Sequence, residues 1–213
     1  MLTGCLNQNV ALNDYSRQLV RNDTRPILVA LFSTAGNSGL QLTTYESARL
    51  AGGSGRQVLA LREGQQLTND LNLPHPMITM RDLFVRELKA KAGLYRFKFL
   101  PDTLDTKIDN PVQLRDELGN DRLLDFRGRY HLVFLANDHN RYQLIYDGEA
   151  RLMDLNTGVI FWQARCHSEI ADPTAPTLAE LRERRGAKLQ GWLQRGAGEC
   201  SRQLIQHFLG KKP

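Results

Sequence analysis

The feature that most constrains the fold is a series of short strand-like segments in the second half of the chain. Four such segments follow one another: 130–136, 141–147, 149–155 and 159–166. Turn-forming residues separate them at 137–140, at Gly148 and at 156–158, and the last of these is typical of a tight hairpin. Strands joined by connections this short pair in antiparallel fashion. Residues 130–166 are therefore predicted to form an antiparallel meander of three or four strands.

Strands and helices alternate in the first half of the chain. The predicted elements are an apolar strand at 27–32, a helix at 79–92 stopped by Gly93, an alternating strand at 95–100 and a short helix from Pro111 that includes Leu123. Residues 33–56 are predicted as loops around a weak segment at 40–50. Residues 57–61 fit either a strand or a helical turn.

The last predicted element is a long helix. Thr177-x-x-Glu180 is a capping box, and the helix that it opens runs over 178–209. At about 1.5 Å per residue this helix spans about 48 Å, so it crosses the whole domain or bends near Gly196 and Gly198. The complete order predicts the α+β class: a mixed sheet with an antiparallel C-terminal meander, helices packed on it and a long C-terminal helix.

Composition narrows the class of protein further. Of 213 residues, 41% are hydrophobic and 24% are charged, which is ordinary for a globular protein. The longest apolar run, Ile27 to Phe32, is far shorter than the roughly 18 residues that cross a bilayer. The formal net charge of +5 favours anionic partners without naming one.

The amino terminus carries a short motif with a specific meaning. Leu2-Thr-Gly-Cys5 resembles the bacterial lipobox, at which a lipoprotein signal peptide is cut before the cysteine. The resemblance implies that Cys5 carries diacylglycerol and an amide-linked acyl chain, which together anchor a protein stably. Leu6, rather than Asp, follows the cysteine; in enterobacterial lipoproteins this implies sorting to the outer membrane. The predicted division is 1–24, a lipid-anchor site and flexible tether, and 25–213, a single α+β periplasmic domain.

The cysteines point to the same compartment. The chain has three cysteines, and removing Cys5 for the lipid leaves an even pair, Cys166 and Cys200. An exported protein lies in an oxidising environment, so this pair is predicted to form a disulfide. The alternative is two separate buried thiols.

A second resemblance rests on residues 152–162, Leu-Met-Asp-Leu-Asn-Thr-Gly-Val-Ile-Phe-Trp. An Asp, a Thr-Gly turn and a strand with Trp resemble a hairpin of certain periplasmic α+β domains. These include the curli secretion-channel lipoprotein, the lipoprotein activators of penicillin-binding proteins and the N-terminal domain of the Tol translocation protein. The resemblance implies a non-catalytic protein that works through protein contacts.

The remaining candidate site is a basic cluster on the last helix: Arg182, Arg184, Arg185 and Lys188. These residues are predicted to contact lipid phosphate or an acidic partner protein, the alternative being an ordinary exposed helix face. The histidines lack metal-ligand spacing, and the glycine-rich 52–56 lacks phosphate-loop spacing. We therefore expect no metal, no cofactor and no nucleic-acid partner.

These observations predict a lipid-anchored, non-catalytic protein on the periplasmic face of the outer membrane. It would bind a protein partner in an envelope assembly, transport or cell-wall system. The alternative is a periplasmic enzyme, such as a hydrolase, whose site is assembled from residues distant in sequence. A deep pocket with convergent polar groups would favour that enzyme.

Overall fold

The computed structural model describes residues 9–22, 25–33, 39–49, 54–105, 111–119, 122–172 and 175–210. The helices in these ranges are α1 (Asp14–Asn22), α2 (Tyr45–Arg49), α3 (Ser54–Leu71), α4 (Pro76–Ala92), α5 (Pro111–Leu118) and α6 (Leu178–Phe208). The strands are β1 (Ile27–Ser33), β2 (Gly39–Leu42), β3 (Phe97–Asp105), β4 (Arg122–Leu135), β5 (Asp138–Asp154) and β6 (Ile160–Ile170).

The strands form one mixed sheet. Its order is β3-β1-β4-β5-β6, and β2 pairs with β4 off this path. β1 is parallel to β3 and β4, and β2 is parallel to β4. β4, β5 and β6 form an antiparallel meander. The predicted α+β class, with a mixed sheet, a C-terminal meander and a long last helix, is confirmed.

Two cores lie on opposite faces of the sheet. The larger core contains apolar residues of α4 and α6 together with alternate residues of β5: Tyr142, Leu144, Tyr146, Ala150 and Leu152. The smaller core lies on the opposite face, where Leu114 of α5 packs with Leu28, Leu123 and Met153. Because side chains alternate along a strand, the residues of β5 between the buried ones lie on the face opposite α4 and α6.

The sequence predicts a turn at Gly148, but β5 continues through this residue. The meander therefore has three long strands. A Cβ atom at Gly148 would lie 2.7 Å from the Cys166 sulfur and 2.9 Å from the Met80 sulfur. The glycine therefore gives room for a helix and a neighbouring strand, and it does not form a turn.

Two further differences concern the boundaries of elements. β4 begins at Arg122, so Leu123 is a strand residue and not part of the short helix; its side chain is buried in the smaller core. Residues 57–61 belong to α3, a helix that the sequence analysis missed because few of its residues are apolar. Gly64 of α3 lies so close to β2 that a Cβ atom would clash with the Leu40 carbonyl.

The structure also differs from the predicted tether over residues 9–22. Val10 pairs with Gln163 of β6 through two backbone hydrogen bonds, of 2.8 and 3.0 Å. Leu12, just before α1, and Val20, within α1, are buried in the larger core. Residues 9–22 are thus joined to the sheet and the core, whereas Cys5 and the rest of the predicted tether lie outside the described residues.

The last helix is broken at a different place from the one predicted. Residues 183–186 have non-helical backbone angles, whereas the helix continues through Gly196 and Gly198. A Cβ atom on Gly196 would lie 3.0 Å from the Tyr146 side chain, so this glycine serves close packing against β5. The break divides α6 into a short first part and a long second part.

Candidate functional site

The break in α6 displays three arginines that the sequence analysis singled out; we call Arg182, Arg184 and Arg185 the basic kink. Arg184 and Arg185 have φ angles of 49° and 57°, and Gly186 follows with φ 75°. Left-handed backbone costs a residue other than glycine roughly 1–2 kcal/mol. Two successive arginines in this conformation are therefore strained, and the surrounding structure must hold them there.

Packing and capping on both sides of the break supply that support. Gly186 is buried so tightly that a Cβ atom would lie 2.9 Å from Leu71 Cδ1. Leu181 before the break and Leu189 after it are fully buried. At the start of the helix the capping box is present, with the Thr177 hydroxyl accepting from the Glu180 backbone N–H at 3.3 Å. The kink is thus a fixed feature of the fold.

The side chains of the basic kink are exposed. Within the described residues no ion pair joins any of the three to a carboxylate. Lys188, the fourth member of the predicted cluster, differs, because its Nζ lies 3.1 Å from Asp172 Oδ2. The predicted cluster is therefore reduced to three arginines whose charges remain available to a partner.

The second part of α6 is held firmly against the sheet. Cys166 and Cys200 form the predicted disulfide, with their Cα atoms 5.1 Å apart. Trp192 and Leu189 are buried, as the apolar face of this helix predicts. Near the end of the helix the Trp162 indole N–H donates to His207 Nδ1 at 3.0 Å. The basic kink therefore projects from a rigid support.

The face of the meander opposite α4 and α6 carries charged residues in register. Arg127 of β4 lies opposite Glu149 of β5, which lies opposite Arg165 of β6. Arg165 Nε is 3.0 Å from Glu149 Oε2, and in the next row His167 Nδ1 is 2.7 Å from Asp147 Oδ1. Opposite charges across a strand pair stabilise a sheet. This charged face, which alternating charges along β5 could have indicated, was missed by sequence reasoning.

His167 has no arrangement for nucleophilic catalysis. Its Nε2 lies 3.2 Å from Glu169 Oε1, so both ring nitrogens contact carboxylates. Hydrogen bonds to Asp147 and then to Glu169 raise the pKa of the imidazole. Among the described residues no hydroxyl or thiol contacts this ring, and a catalytic triad needs that third group. The arrangement is an ion-pair row on the surface of the sheet.

Asp125 is the most deeply buried charge on the same face. Its side chain has no exposed surface, and its carboxylate oxygens lie 2.9 Å from Arg151 Nε and 3.5 Å from Arg127 Nε. The Arg127 guanidinium also stacks over the Phe32 ring at 4.7 Å. A buried carboxylate needs such cationic neighbours, so this group links the charged face to the smaller core.

A half-open cavity of about 360 Å³ lies between α3, the start of α4 and β4. Its lining includes Leu40, Leu73 and Leu193, together with Tyr130 and His75. Tyr130 Oη and His75 Nδ1 are 3.4 Å apart, and burial raises the pKa of the phenol well above its ordinary value. A protonated phenol beside an imidazole can bind a polar group. Thr68 also lines this cavity, and its hydroxyl donates to the Gly64 carbonyl at 2.9 Å.

Neither a metal centre nor a membrane span is found in the part of the chain that the structure describes. No three His, Cys, Asp or Glu side chains there are arranged to hold a metal ion. None of the helices in the described ranges combines the length and the apolar character that crossing a bilayer requires.

Comparison with known proteins gives distant structural similarity alone. No protein-family model matches the chain, and no curated protein matches it. It is similar to protein XCC0632 from Xanthomonas campestris, with 11% identity, 87% of this chain and 85% of that chain covered, and a TM-score of 0.39. It is also similar to lipoprotein GNA1162 from Neisseria meningitidis, with 12% identity, 79% and 92% coverage and a TM-score of 0.36.

The C-terminal domain of LpoB from Salmonella enterica is a further neighbour, with 14% identity, 72% of this chain and 90% of that chain covered, and a TM-score of 0.24. The neighbours thus include a bacterial lipoprotein, and their own lengths are largely covered. All three TM-scores lie below 0.5, so a function for this chain has to be argued from its own residues.

Proposed function

We propose that this chain is a lipid-anchored, non-catalytic protein of the bacterial envelope that binds an acidic partner protein through the basic kink. The anchor rests on Leu2-Thr-Gly-Cys5, and its acyl chains would hold Cys5 at the periplasmic face of the outer membrane. The disulfide between Cys166 and Cys200 supports this compartment, because disulfides persist in oxidising environments.

The observation that carries the partner surface is the arrangement of Arg182, Arg184 and Arg185. All three are exposed and form no ion pair with the described residues, and Arg184 and Arg185 lie on strained left-handed backbone. Strained backbone is concentrated at functional sites of proteins, so left-handed arginines on the surface suggest a binding role. Guanidinium groups bind carboxylates in paired hydrogen bonds, and arginine is enriched where binding energy concentrates in protein interfaces. An acidic protein surface is therefore the partner that this kink fits.

The position of the kink favours a protein over lipid phosphate as this partner. The second part of α6, from residue 187 to Phe208, spans about 33 Å at 1.5 Å per residue. Val10, close behind the proposed anchor, pairs with Gln163, and the neighbouring Trp162 contacts the far end of the helix at Phe208. The kink and Val10, which follows the proposed anchor closely in sequence, thus lie at opposite ends of α6.

Metabolic labelling tests the anchor. Expressed behind a lipoprotein signal peptide, the chain should incorporate labelled palmitate and fractionate with membranes. Cys5→Ser should abolish the label and release the protein into the soluble fraction. Absence of label from the unmutated chain would overturn the proposed anchor, whatever the state of the kink.

Charge removal that preserves the backbone tests the partner surface. Asn tolerates left-handed angles better than most residues, so Arg184→Asn and Arg185→Asn remove charge without new strain. Together with Arg182→Gln, these changes should reduce crosslinking of the membrane-bound protein to its partner by at least tenfold. Arg195→Gln with Arg202→Gln is the matched control on the second part of α6, where both side chains are exposed. Equal losses in the two variants would contradict a specific role of the kink.

A further inference from the structure

We infer that the domain lies directly on the bilayer, with α1 and the segment before it against the phospholipid headgroups. The inference rests on the proposed lipidation of Cys5 and adds to it an orientation and a contact surface. A long tether would let the domain move freely below the membrane, whereas a short one leaves a single side of the domain within reach of the headgroups.

The amino-terminal segment is hydrogen-bonded to β6 from Asn9 onward. Asn9 Oδ1 accepts a hydrogen bond of 3.2 Å from the Arg165 backbone N–H. Val10 then exchanges two backbone hydrogen bonds with Gln163, of 2.8 and 3.0 Å, and Leu12 is buried. The segment therefore pairs with the outer edge of β6 through one antiparallel bridge, and Asn9 is the first described residue that the sheet holds.

The remaining distance to the lipid is short. From Cys5 to Asn9 there are four residue steps, which reach at most about 14 Å when fully extended. A tether of the predicted length, up to residue 24, would reach about 65 Å. With the shorter length, Asn9 stays within about 14 Å of the lipidated residue, and α1 begins five residues beyond Asn9.

The chemistry of that surface matches a headgroup layer. Tyr15 is 71% exposed, the largest value among the exposed bulky apolar and aromatic residues of the described chain, and tyrosine is favoured where hydrocarbon meets water. Arg21 is exposed and Arg17 partly exposed on the same helix, against one acidic residue, Asp14. Basic residues near an anionic lipid surface add to binding. α1 thus combines an aromatic side chain with a net positive charge beside the proposed anchor.

Chemical coupling to vesicles tests this orientation without cellular lipidation. With Cys166 and Cys200 in a disulfide, Cys5 is the one remaining cysteine of the chain. It can be joined to a maleimide phospholipid in vesicles of phosphatidylcholine and phosphatidylglycerol. A photoreactive p-benzoylphenylalanine at position 15 should then crosslink to lipid at least tenfold more than the same group at position 45.

Tyr45 is the matched control because it is also a tyrosine, 54% exposed, at the other end of the molecule. It contacts Phe134 and His139 beside the β4–β5 turn, and β5 begins next to the start of α6 through the Arg141–Thr177 pairing. Equal lipid adducts at 15 and 45, or none at 15, would overturn the inferred orientation.

A charge change gives a second, independent readout. Arg21→Gln should lower the ratio of docked to undocked domain about fivefold on vesicles that contain phosphatidylglycerol. Arg184→Asn, which removes the same charge at the kink, should leave that ratio unchanged. A larger effect of Arg184→Asn would overturn the inference. Because coupling to Cys5 is chemical in this experiment, a failure to label with palmitate in cells would remove the proposed anchor without altering the vesicle result.

Discussion

The two parts of α6 are stabilised in different ways. The second part, from residue 187 to Phe208, is buried along one face and joined to β6 by the disulfide from Cys200. The first part contains a capping box and then the left-handed residues Arg184 and Arg185. The second part has regular backbone and no strained residue, whereas the first part has strained backbone and exposed arginines.

The difference fits the proposed function, in which support and partner contact are divided along one helix. Strain of about 1–2 kcal/mol per left-handed arginine persists only where other interactions of the folded protein compensate for it. The buried second part of α6, with Trp192 and the disulfide, contributes that compensating stability.

The largest expected effect is the loss of the central tryptophan of the supporting part. Trp192 is 2% exposed, so Trp192→Ala should lower the free energy of unfolding by about 3–5 kcal/mol, as large-to-small changes in a core do. Urea unfolding followed by circular dichroism measures this loss. The control Tyr45→Ala, at an exposed aromatic residue, should cost far less. A loss below about 1 kcal/mol for Trp192→Ala would mean that this face is not a core.

Removing the disulfide should have the second-largest effect on stability. Cys166 and Cys200 are 34 residues apart, and closing a loop of this length is worth about 3.7 kcal/mol on chain-entropy grounds. The double variant Cys166→Ala/Cys200→Ala should lose about this much stability in denaturant unfolding. Reduction of the unmutated chain should reproduce the loss. An unchanged midpoint after reduction would contradict the support that we assign to this bond.

Alanine substitutions at two glycines of α6 should have opposite effects in the kink and in the regular helix. Gly186 has φ 75° and no room for a Cβ atom, whereas Gly191 has nothing within 4 Å. Gly186→Ala should therefore destabilise the protein by about 1–3 kcal/mol, and Gly191→Ala should stabilise it by up to about 1 kcal/mol. Thermal unfolding of both variants measures the contrast. Equal shifts in the same direction would argue against a left-handed kink.

The smallest effect concerns pH. Hydrogen bonds to Asp147 and Glu169 raise the folded pKa of His167 above 6.5, so its ion pairs contribute stability that is fully present below pH 6.5 and is lost as the pH rises through the folded pKa. His167 is exposed, so we expect less than about 1 kcal/mol. His167→Gln should flatten this part of the stability–pH curve. A curve that keeps its slope in His167→Gln would contradict the assignment.

Several features could be predicted because local chemistry decides them. The apolar run of β1, the stop of α4 at Gly93 (φ 68°) and the capping box at Thr177 each follow from a few neighbouring residues. The disulfide follows from parity and compartment. These features need no knowledge of distant contacts.

The missed features depend on contacts that are distant in sequence. Gly148 and Gly196 look like turn or break signals, but each is small because a side chain from another element occupies the space. Arginine is a poor left-handed residue, so nothing local marks Arg184 and Arg185 as a kink. The packing of Gly186 against Leu71 of α3 sets the break, and α3 itself was missed.

Photocrosslinking in intact cells tests whether opposite ends of α6 serve the membrane and a protein partner. A p-benzoylphenylalanine is placed at position 183, an exposed residue of the break that leaves all three arginines in place, or at position 15 of the membrane-anchored chain. We expect one discrete protein adduct from position 183, lost in the Arg182→Gln background, and predominantly lipid adducts from position 15. Lipid adducts from position 183, or the same protein adduct from both positions, would contradict this division of α6.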